Sequence, residues 1–147
     1  MKRSGPIRRR SRLQPRSAAT TDARSEREAL CARVAAAYGH RCALHTPGEC
    51  RGAAGYVWRV GDPLDFHEVV RRSQWPGAHL DERFVIPLCR HHHNLDLRLS
   101  VAEQVGIRAP RWAYDRLGVD VVLAELSQRR AAYRAGDTLG PPSWRTL

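Results

Sequence analysis

The feature of the sequence that most constrains the fold is a group of cysteines and histidines with the spacing of metal ligands. Cys89 and His92 are separated by two residues, and this spacing lets a thiolate and an imidazole on one turn bind the same tetrahedral Zn²⁺. A structural site needs a second pair, which Cys42 can form with either Cys50 or His45. The first choice supplies two thiolates, and the second has the commoner knuckle spacing. We predict a structural zinc at Cys42, Cys50, Cys89 and His92, with His45 as the alternative to Cys50.

The cysteines could also have roles that do not involve metal. Four cysteines could form two disulfides, or they could be buried thiols that bind nothing. Seven histidines accompany them, and cysteine and histidine occur together at both ends of the segment, which favours metal in an intracellular protein. Cys31 is treated separately because it lies beside alanines and a valine in a predicted helix, where a small core side chain is expected.

The hydrophobic pattern predicts a mixture of helices and short strands. A helix is expected over residues 23–38, where Leu30 and Val34 share one face and Gly39 supplies the C-terminal stop. Short strands are expected over residues 56–60, 64–70 and 84–88, and Cys89 opens a helical segment that continues to residue 99. Further helices are expected over residues 100–106, from Pro110 onward, and over residues 119–134.

These elements predict an α+β fold with a zinc knuckle and flanking helices. The expected organisation is a disordered basic tail over residues 1–21, a metal-binding domain with its leading helix over residues 22–99, a helical extension over residues 100–135 and an irregular tail over residues 136–147. A chain of 147 residues suits one modest domain with such appendages. The C-terminal helices could pack on the core or bind a protein partner, and their composition favours neither.

Positive charge is concentrated at the N-terminus. The formal net charge is +10, and the first 24 residues contain eight Lys and Arg against Asp22 alone. Such a segment lacks the apolar area that ordering requires, but its arginines neutralise phosphates and release counterions from a polyanion. We therefore expect DNA as the partner, with Arg8, Arg9 and Arg10 among the residues that bind it.

The sequence predicts no association with a membrane. No stretch has the roughly 18 apolar residues of a spanning helix. The N-terminal charges are not followed by the apolar core of a signal peptide. We expect a soluble, cytoplasmic protein.

Two stretches in the middle of the chain resemble the HNH, or ββα-metal, nucleases. The first is DFHE at residues 65–68, and the second is FVIPLCRHHH at residues 84–93. In that family a histidine-containing dipeptide ends the first strand, a polar loop follows, and a Cys-x-x-Cys-His or similar element opens the helix. The dipeptide His67-Glu68 and the histidines that follow Cys89 fall on those elements.

The resemblance covers roughly residues 41–97 and implies a ββα-metal core. Cys42 and Cys50 look like the paired cysteines of family members that carry a structural zinc. The arginine-rich stretch IRRRSRL near the N-terminus resembles the tails of small phage HNH proteins.

The resemblance also implies a catalytic divalent metal ion, which could be Mg²⁺, Mn²⁺, Ni²⁺ or Zn²⁺. His67 from the strand and His93 from the helix would bind it and leave positions open for water and a phosphate oxygen. The metal would then stabilise the transition state and the departing 3′ oxygen of a phosphodiester. Arg71, Arg72 and Arg90 lie close in sequence and are candidates for contact with the phosphate.

Two residues depart from the family pattern. Glu68 stands where members usually carry a second histidine as general base, and its carboxylate is the candidate to accept the proton from water. Phe84 stands where the central Asn of the family name is expected, so the hydrogen bonds by which that side chain fixes the loop are missing. The first departure bears on proton transfer, whereas the role of that Asn is mainly geometric, so activity could survive its loss.

Three functions follow from these observations. The first is a metal-dependent endonuclease that nicks or cleaves DNA, in a phage or mobile-element setting that the resemblance suggests. The second is a noncatalytic, zinc-stabilised DNA-binding module on a degenerate HNH scaffold. The third is an adaptor whose basic tail binds acidic proteins, which charge alone does not exclude.

Overall fold

The computed structural model describes residues 18–46, 48, 50, 59, 62–95 and 106–146. The predicted strand over residues 56–60 and the predicted helix over residues 100–106 lie outside this set except for Arg59 and Gly106, as do residues 1–17 of the basic tail. The helices and strands are α1 (Ala18–Ala37), β1 (Asp65–Glu68), β2 (Val85–Leu88), α2 (Arg90–Leu95), α3 (Arg111–Leu117) and α4 (Val119–Ala135), with 3₁₀ helices at Pro76–Leu80, Glu82–Phe84 and Ser143–Arg145.

Helix α1 begins earlier than the sequence predicted and ends close to the expected point. It starts at Ala18, so residues 18–21 are helical where a disordered tail was predicted. The high helix propensity of alanine favours this earlier start. At the other end Gly39 has a φ of +60°, and the amides of Gly39 and His40 donate to carbonyls of the last turn. This is a Schellman ending, which favours glycine at the left-handed position.

Strands β1 and β2 form an antiparallel pair whose two faces have different partners. The facing residues are Asp65 and Leu88, Phe66 and Pro87, His67 and Ile86, and Glu68 and Val85. Side chains alternate along a strand, so Phe66 and Glu68 leave one face, and Asp65 and His67 leave the other. Phe66 and Val85 pack against Leu30 and Val34 of α1, whereas Ile86 and Leu88 join the main core with the cysteines, α3 and α4.

An aromatic cluster anchors the loop between the two strands. The ring centroid of Phe84 lies 4.7 Å from that of Trp75 and 5.6 Å from that of Tyr114. The hydroxyl of Tyr114 donates to the carbonyl oxygen of Val69 at 3.2 Å, and burial raises the pKa of this phenol. Phe84 is buried, so the position where the family pattern has an Asn contributes packing here.

The C-terminal helices complete the core against the loop that precedes them. α3 and α4 agree with the helices predicted from Pro110 and over residues 119–134. Gly106 has a φ of +74°, and a Cβ there would collide with the side chain and backbone of Arg130 on α4. Arg130 also donates to the carbonyl oxygen of Gly106 at 2.8 Å. Glycine is therefore required at this contact for both its conformation and its size.

The segment after α4 folds back onto that helix. Trp144, in the last 3₁₀ helix, is buried. The carboxylate of Glu125 accepts from the amide of Ser143 at 2.9 Å and from Arg129 at 2.9 Å. The chain as described is a mixture of helices with a small two-stranded sheet, and this agrees with the predicted α+β class.

Candidate metal centre

The four predicted zinc ligands come together at the end of β2. Cys89 directly follows that strand, and His92 lies in the first turn of α2. Cys42 follows α1, and the amide of Ala43 donates to the carbonyl oxygen of Pro87 at 2.8 Å, which ties this loop to β2. Cys50 completes the group, and all four side chains are buried. The cluster therefore joins the segment after α1 to the junction of β2 and α2.

The distances in this cluster suit a tetrahedral ion. The four ligand atoms all lie within 4.8 Å of one another. Nδ1 of His92 is 3.2 Å from Sγ of Cys89, 3.3 Å from Sγ of Cys42 and 3.7 Å from Sγ of Cys50. Zinc bonds of about 2.3 Å to sulfur and about 2.0 Å to nitrogen place such atoms roughly 3.5 Å apart. The arrangement is consistent with a structural zinc site.

The electrostatics of the cluster also favour a cation. Hydrogen bonds with the sulfurs of Cys42 and Cys50 hold the pKa of Cys89 far below its usual value. The pKa of Cys42 is raised by its hydrogen bonds with Cys50 and Cys89 and by burial. Burial lowers the pKa of His92, but hydrogen bonds to Cys50 and Cys89 outweigh it and raise the pKa to about 9. The thiolate form is thus favoured at Cys89, and a metal ion bound there would neutralise its negative charge.

The structure distinguishes between the two zinc sets that the sequence left open. Among the described residues, the cluster of ligand atoms contains Cys50 and does not contain His45. On the outer side, Nε2 of His92 lies 3.2 Å from the hydroxyl of Tyr133 on α4. Such a contact to the second ring nitrogen fixes the orientation of a ligating imidazole. Sequence reasoning missed Tyr133, because only the tertiary fold brings α4 to the cluster.

A second group of polar side chains lies between β1 and α2. The rings of His67 and His93 meet edge to face with centroids 5.5 Å apart. Oδ2 of Asp65 lies 3.7 Å from Nδ1 of His93 and accepts from Arg90 at 3.1 Å. Within the described part of the chain, Nδ1 of His93 is buried and has no hydrogen-bond partner. Two imidazoles and a carboxylate therefore lie near one another here, whereas the group of metal-binding side chains found among the described residues is the cysteine cluster with His92.

His67 is held in its neutral form. Burial lowers its pKa to about 3, and the nearby charges of Arg108 and His93 act in the same direction. Nη2 of Arg108 lies 3.1 Å from Nε2 of His67. Because arginine only donates, this contact makes Nε2 the acceptor. A neutral imidazole is the form that binds metal, although here its Nε2 faces a guanidinium.

The structure does not bring Glu68 to these histidines. Its side chain leaves the sheet on the α1 face, where its Oε1 accepts from Arg27 at 3.0 Å and from Arg72 at 2.6 Å. His67, the preceding residue along the strand, leaves on the opposite face. The predicted role of Glu68 as a general base beside His67 and His93 does not agree with this placement. Two guanidinium groups engage its carboxylate instead.

The predicted arginines are divided between several partners. Arg72 pairs with Glu68 and Arg90 with Asp65, while Arg71 lines a cavity that it shares with Arg108. Arg8, Arg9 and Arg10 lie outside the described residues.

Sequence reasoning missed two residues of the histidine group. Asp65 could have been found from strand alternation, which places residues 65 and 67 on one face. Arg108 left no local signal, because it reaches His67 from far along the chain.

No protein-family model matches this chain, and no curated protein or solved structure matches it either. The likeness to HNH nucleases therefore depends on the residues quoted above. In the part of the chain that the structure describes, no helix has the length and apolar character needed to span a membrane.

Proposed function

We propose that this protein is a metal-dependent endonuclease of the HNH type that hydrolyses phosphodiester bonds in DNA. The observation that carries the proposal is the meeting of His67 from β1 with His93 from α2, beside the carboxylate of Asp65. The buried Nδ1 of His93 has no hydrogen-bond partner among the described residues, and a buried polar atom of this kind calls for a ligand.

The zinc cluster and the histidine group are linked by their positions on α2. His92 belongs to the cluster, and His93 is the next residue along the helix. A zinc bound at the cluster would fix the first turn of α2 and hence the place of the His93 ring. The zinc would be structural, because its four ligands come from the protein and leave no open position.

His67, His93 and Asp65 are the residues that would hold the catalytic ion. When bound, such an ion polarises a phosphate oxygen and stabilises the departing 3′ oxygen. Arg108 would bind a nonbridging phosphate oxygen through its guanidinium, exchanging its contact with His67 for one with the substrate. Arg90 would keep Asp65 in place through their ion pair. The basic N-terminal segment would add affinity for DNA through phosphate contacts.

Nicking of supercoiled plasmid tests this proposal. Zinc-loaded full-length protein is incubated with Mg²⁺, Mn²⁺ or Ni²⁺, and wild type is compared with His93→Ala. The matched control is Asn94→Ala, an exposed residue of the same helix. We expect His93→Ala to lower the nicking rate by about 100-fold or more, with Asn94→Ala close to wild type. Equal inertness of wild type and His93→Ala with every metal would overturn the proposal.

A second candidate function is a noncatalytic, zinc-stabilised DNA-binding module. It is favoured by the contact between Arg108 and His67, and by the two arginines that engage Glu68. Such a module would bind DNA equally well with and without an added divalent ion and would nick it with none. The same plasmid assay, read beside a binding titration, separates the two functions.

A further inference from the structure

A cavity of about 330 Å³ is lined in part by Arg108, the residue that also contacts His67. Its walls come from the loop after β1, from the start of α3 and from the C-terminal 3₁₀ helix. The residues that give it its chemistry are Arg71, Gln74, Arg108, Trp112, Trp144 and Arg145. None of these residues belongs to the zinc cluster, and only Arg108 touches the histidine group.

The position of the cavity relative to His67 is fixed by backbone contacts. The amide of Ala109 donates to the carbonyl oxygen of Val69 at 2.8 Å, and the hydroxyl of Tyr114 donates to the same oxygen at 3.2 Å. Val69 follows His67 by two residues. The wall that carries Arg108 and Trp112 is therefore attached to the end of β1, and the cavity and the histidine group share Arg108.

The cavity combines positive charge with an available aromatic face. Its described lining includes three arginines and no carboxylate, which suits a phosphate group. Trp112 keeps 48% of its surface exposed, which is unusual for so large an apolar side chain and is typical of recognition surfaces. Arginine beside exposed tryptophan is the combination that binds single-stranded nucleic acid, because bases stack on the ring while guanidinium groups hold the backbone.

We propose that this cavity binds one unpaired nucleotide of the nucleic-acid strand, with the base on Trp112 and its phosphate between Arg71 and Arg145. The inference rests on the proposed function and deepens it, because it makes single-stranded or locally unpaired DNA the preferred substrate. The volume lies near the lower end of the range for small-ligand sites and has room for one nucleotide rather than a duplex. A base inside a duplex is already stacked on its neighbours and cannot reach the indole.

The test is a binding titration of zinc-loaded full-length protein without added divalent metal. The probe is a fluorescently labelled single-stranded oligonucleotide of about eight nucleotides, within the site sizes of single-strand binding folds, beside the duplex of the same sequence. Loss of one base stack predicts that Trp112→Ala weakens the single-strand Kd by about 5- to 150-fold. Trp112→Phe should recover most of the affinity, because phenylalanine keeps an aromatic face.

A charge-matched pair of variants tests the phosphate contact. Arg145→Gln removes a guanidinium from the cavity, and we expect a weaker Kd and a salt slope lower by about one. Arg33→Gln removes an exposed guanidinium from α1, which packs on the other face of the sheet, and should leave the single-strand Kd unchanged. Circular dichroism and thermal melting of each variant establish that the fold is intact.

The outcomes separate this inference from the proposed function. An unchanged Kd for Trp112→Ala, or a duplex that binds as tightly as the single strand, would overturn the nucleotide pocket even if the protein nicks plasmid. A Trp112-dependent preference for the single strand would support the pocket even if wild type and His93→Ala are equally inert with every metal.

Discussion

Replacement of Cys50 by alanine tests the zinc set directly, because the sequence allowed either Cys50 or His45 as the fourth ligand. Cys50 is buried, and its sulfur lies 3.7 Å from Nδ1 of His92. Structural zinc sites contribute about 10 to 16 kcal/mol of apparent binding free energy. Loss of one ligand of four should therefore cost about 2.5 to 4 kcal/mol, or roughly 70- to 900-fold in zinc affinity. His45→Ala is the matched control and should change that affinity little.

The assay is competition with a chromophoric zinc chelator, followed by thermal melting with and without added zinc. Because zinc binds the folded state, its loss lowers stability by mass action. We expect Cys50→Ala to release zinc at much lower chelator concentration and to melt at lower temperature, with His45→Ala close to wild type. If His45→Ala loses zinc and Cys50→Ala retains it, the assignment of Cys50 as the fourth ligand is wrong.

Four further predictions follow from particular contacts. Tyr133→Phe removes the hydroxyl beside Nε2 of His92 and should weaken zinc affinity by about 10- to 100-fold in the same chelator assay; an unchanged affinity would show that the contact does not orient the ligand. Gly106→Ala places a Cβ against Arg130 at a left-handed φ and should lower the free energy of unfolding by about 1 to 3 kcal/mol in urea titrations. The control is Gly140→Ala, which should change that free energy little because nothing lies within 4 Å of the added carbon. Burial raises the pKa of Glu125, but hydrogen bonds from Ser143 and Arg129 outweigh it and leave the pKa below the ordinary 4.5. The charged carboxylate therefore contributes its full stability above pH 4.5, and this contribution is lost as the pH falls through the lowered pKa. Glu125→Gln should lower the melting temperature at neutral pH and make that temperature fall less steeply in acid, and an unchanged acid profile would count against the contact. Glu68→Gln removes the charge held by Arg27 and Arg72 and should lower stability while leaving the nicking rate near that of wild type; loss of nicking in a variant of normal stability would restore the general-base role.

The parts of the structure that the sequence predicted well are those with local causes. Cys89 and His92 meet because two intervening residues form one turn, and Gly39 ends α1 because the left-handed position favours glycine. The helix over residues 119–134 could be predicted because Val122 and Leu126 recur at helical spacing. Both side chains are buried in the structure. In each case the residues that decide the outcome lie within a few positions of one another.

The parts that were not predicted depend on which elements meet in the folded chain. Neither the place of Glu68 in the predicted strand nor its match to the HNH pattern revealed that Arg27, on α1, would engage its carboxylate. Arg108 and Tyr133 reach His67 and His92 only because the C-terminal elements pack on the second face of the sheet. Long-range pairing of this kind leaves no periodic signal in one sequence.

The proposed function requires the protein to hold two metal ions with different roles. This requirement is tested most directly by anomalous diffraction from crystals of the zinc-loaded protein soaked in Mn²⁺. We predict a zinc peak among Cys42, Cys50, Cys89 and His92, and a separate manganese peak within coordination distance of His67 and His93. A zinc peak at the cluster with no manganese at the histidine pair would contradict the catalytic role and leave only the zinc-stabilised scaffold.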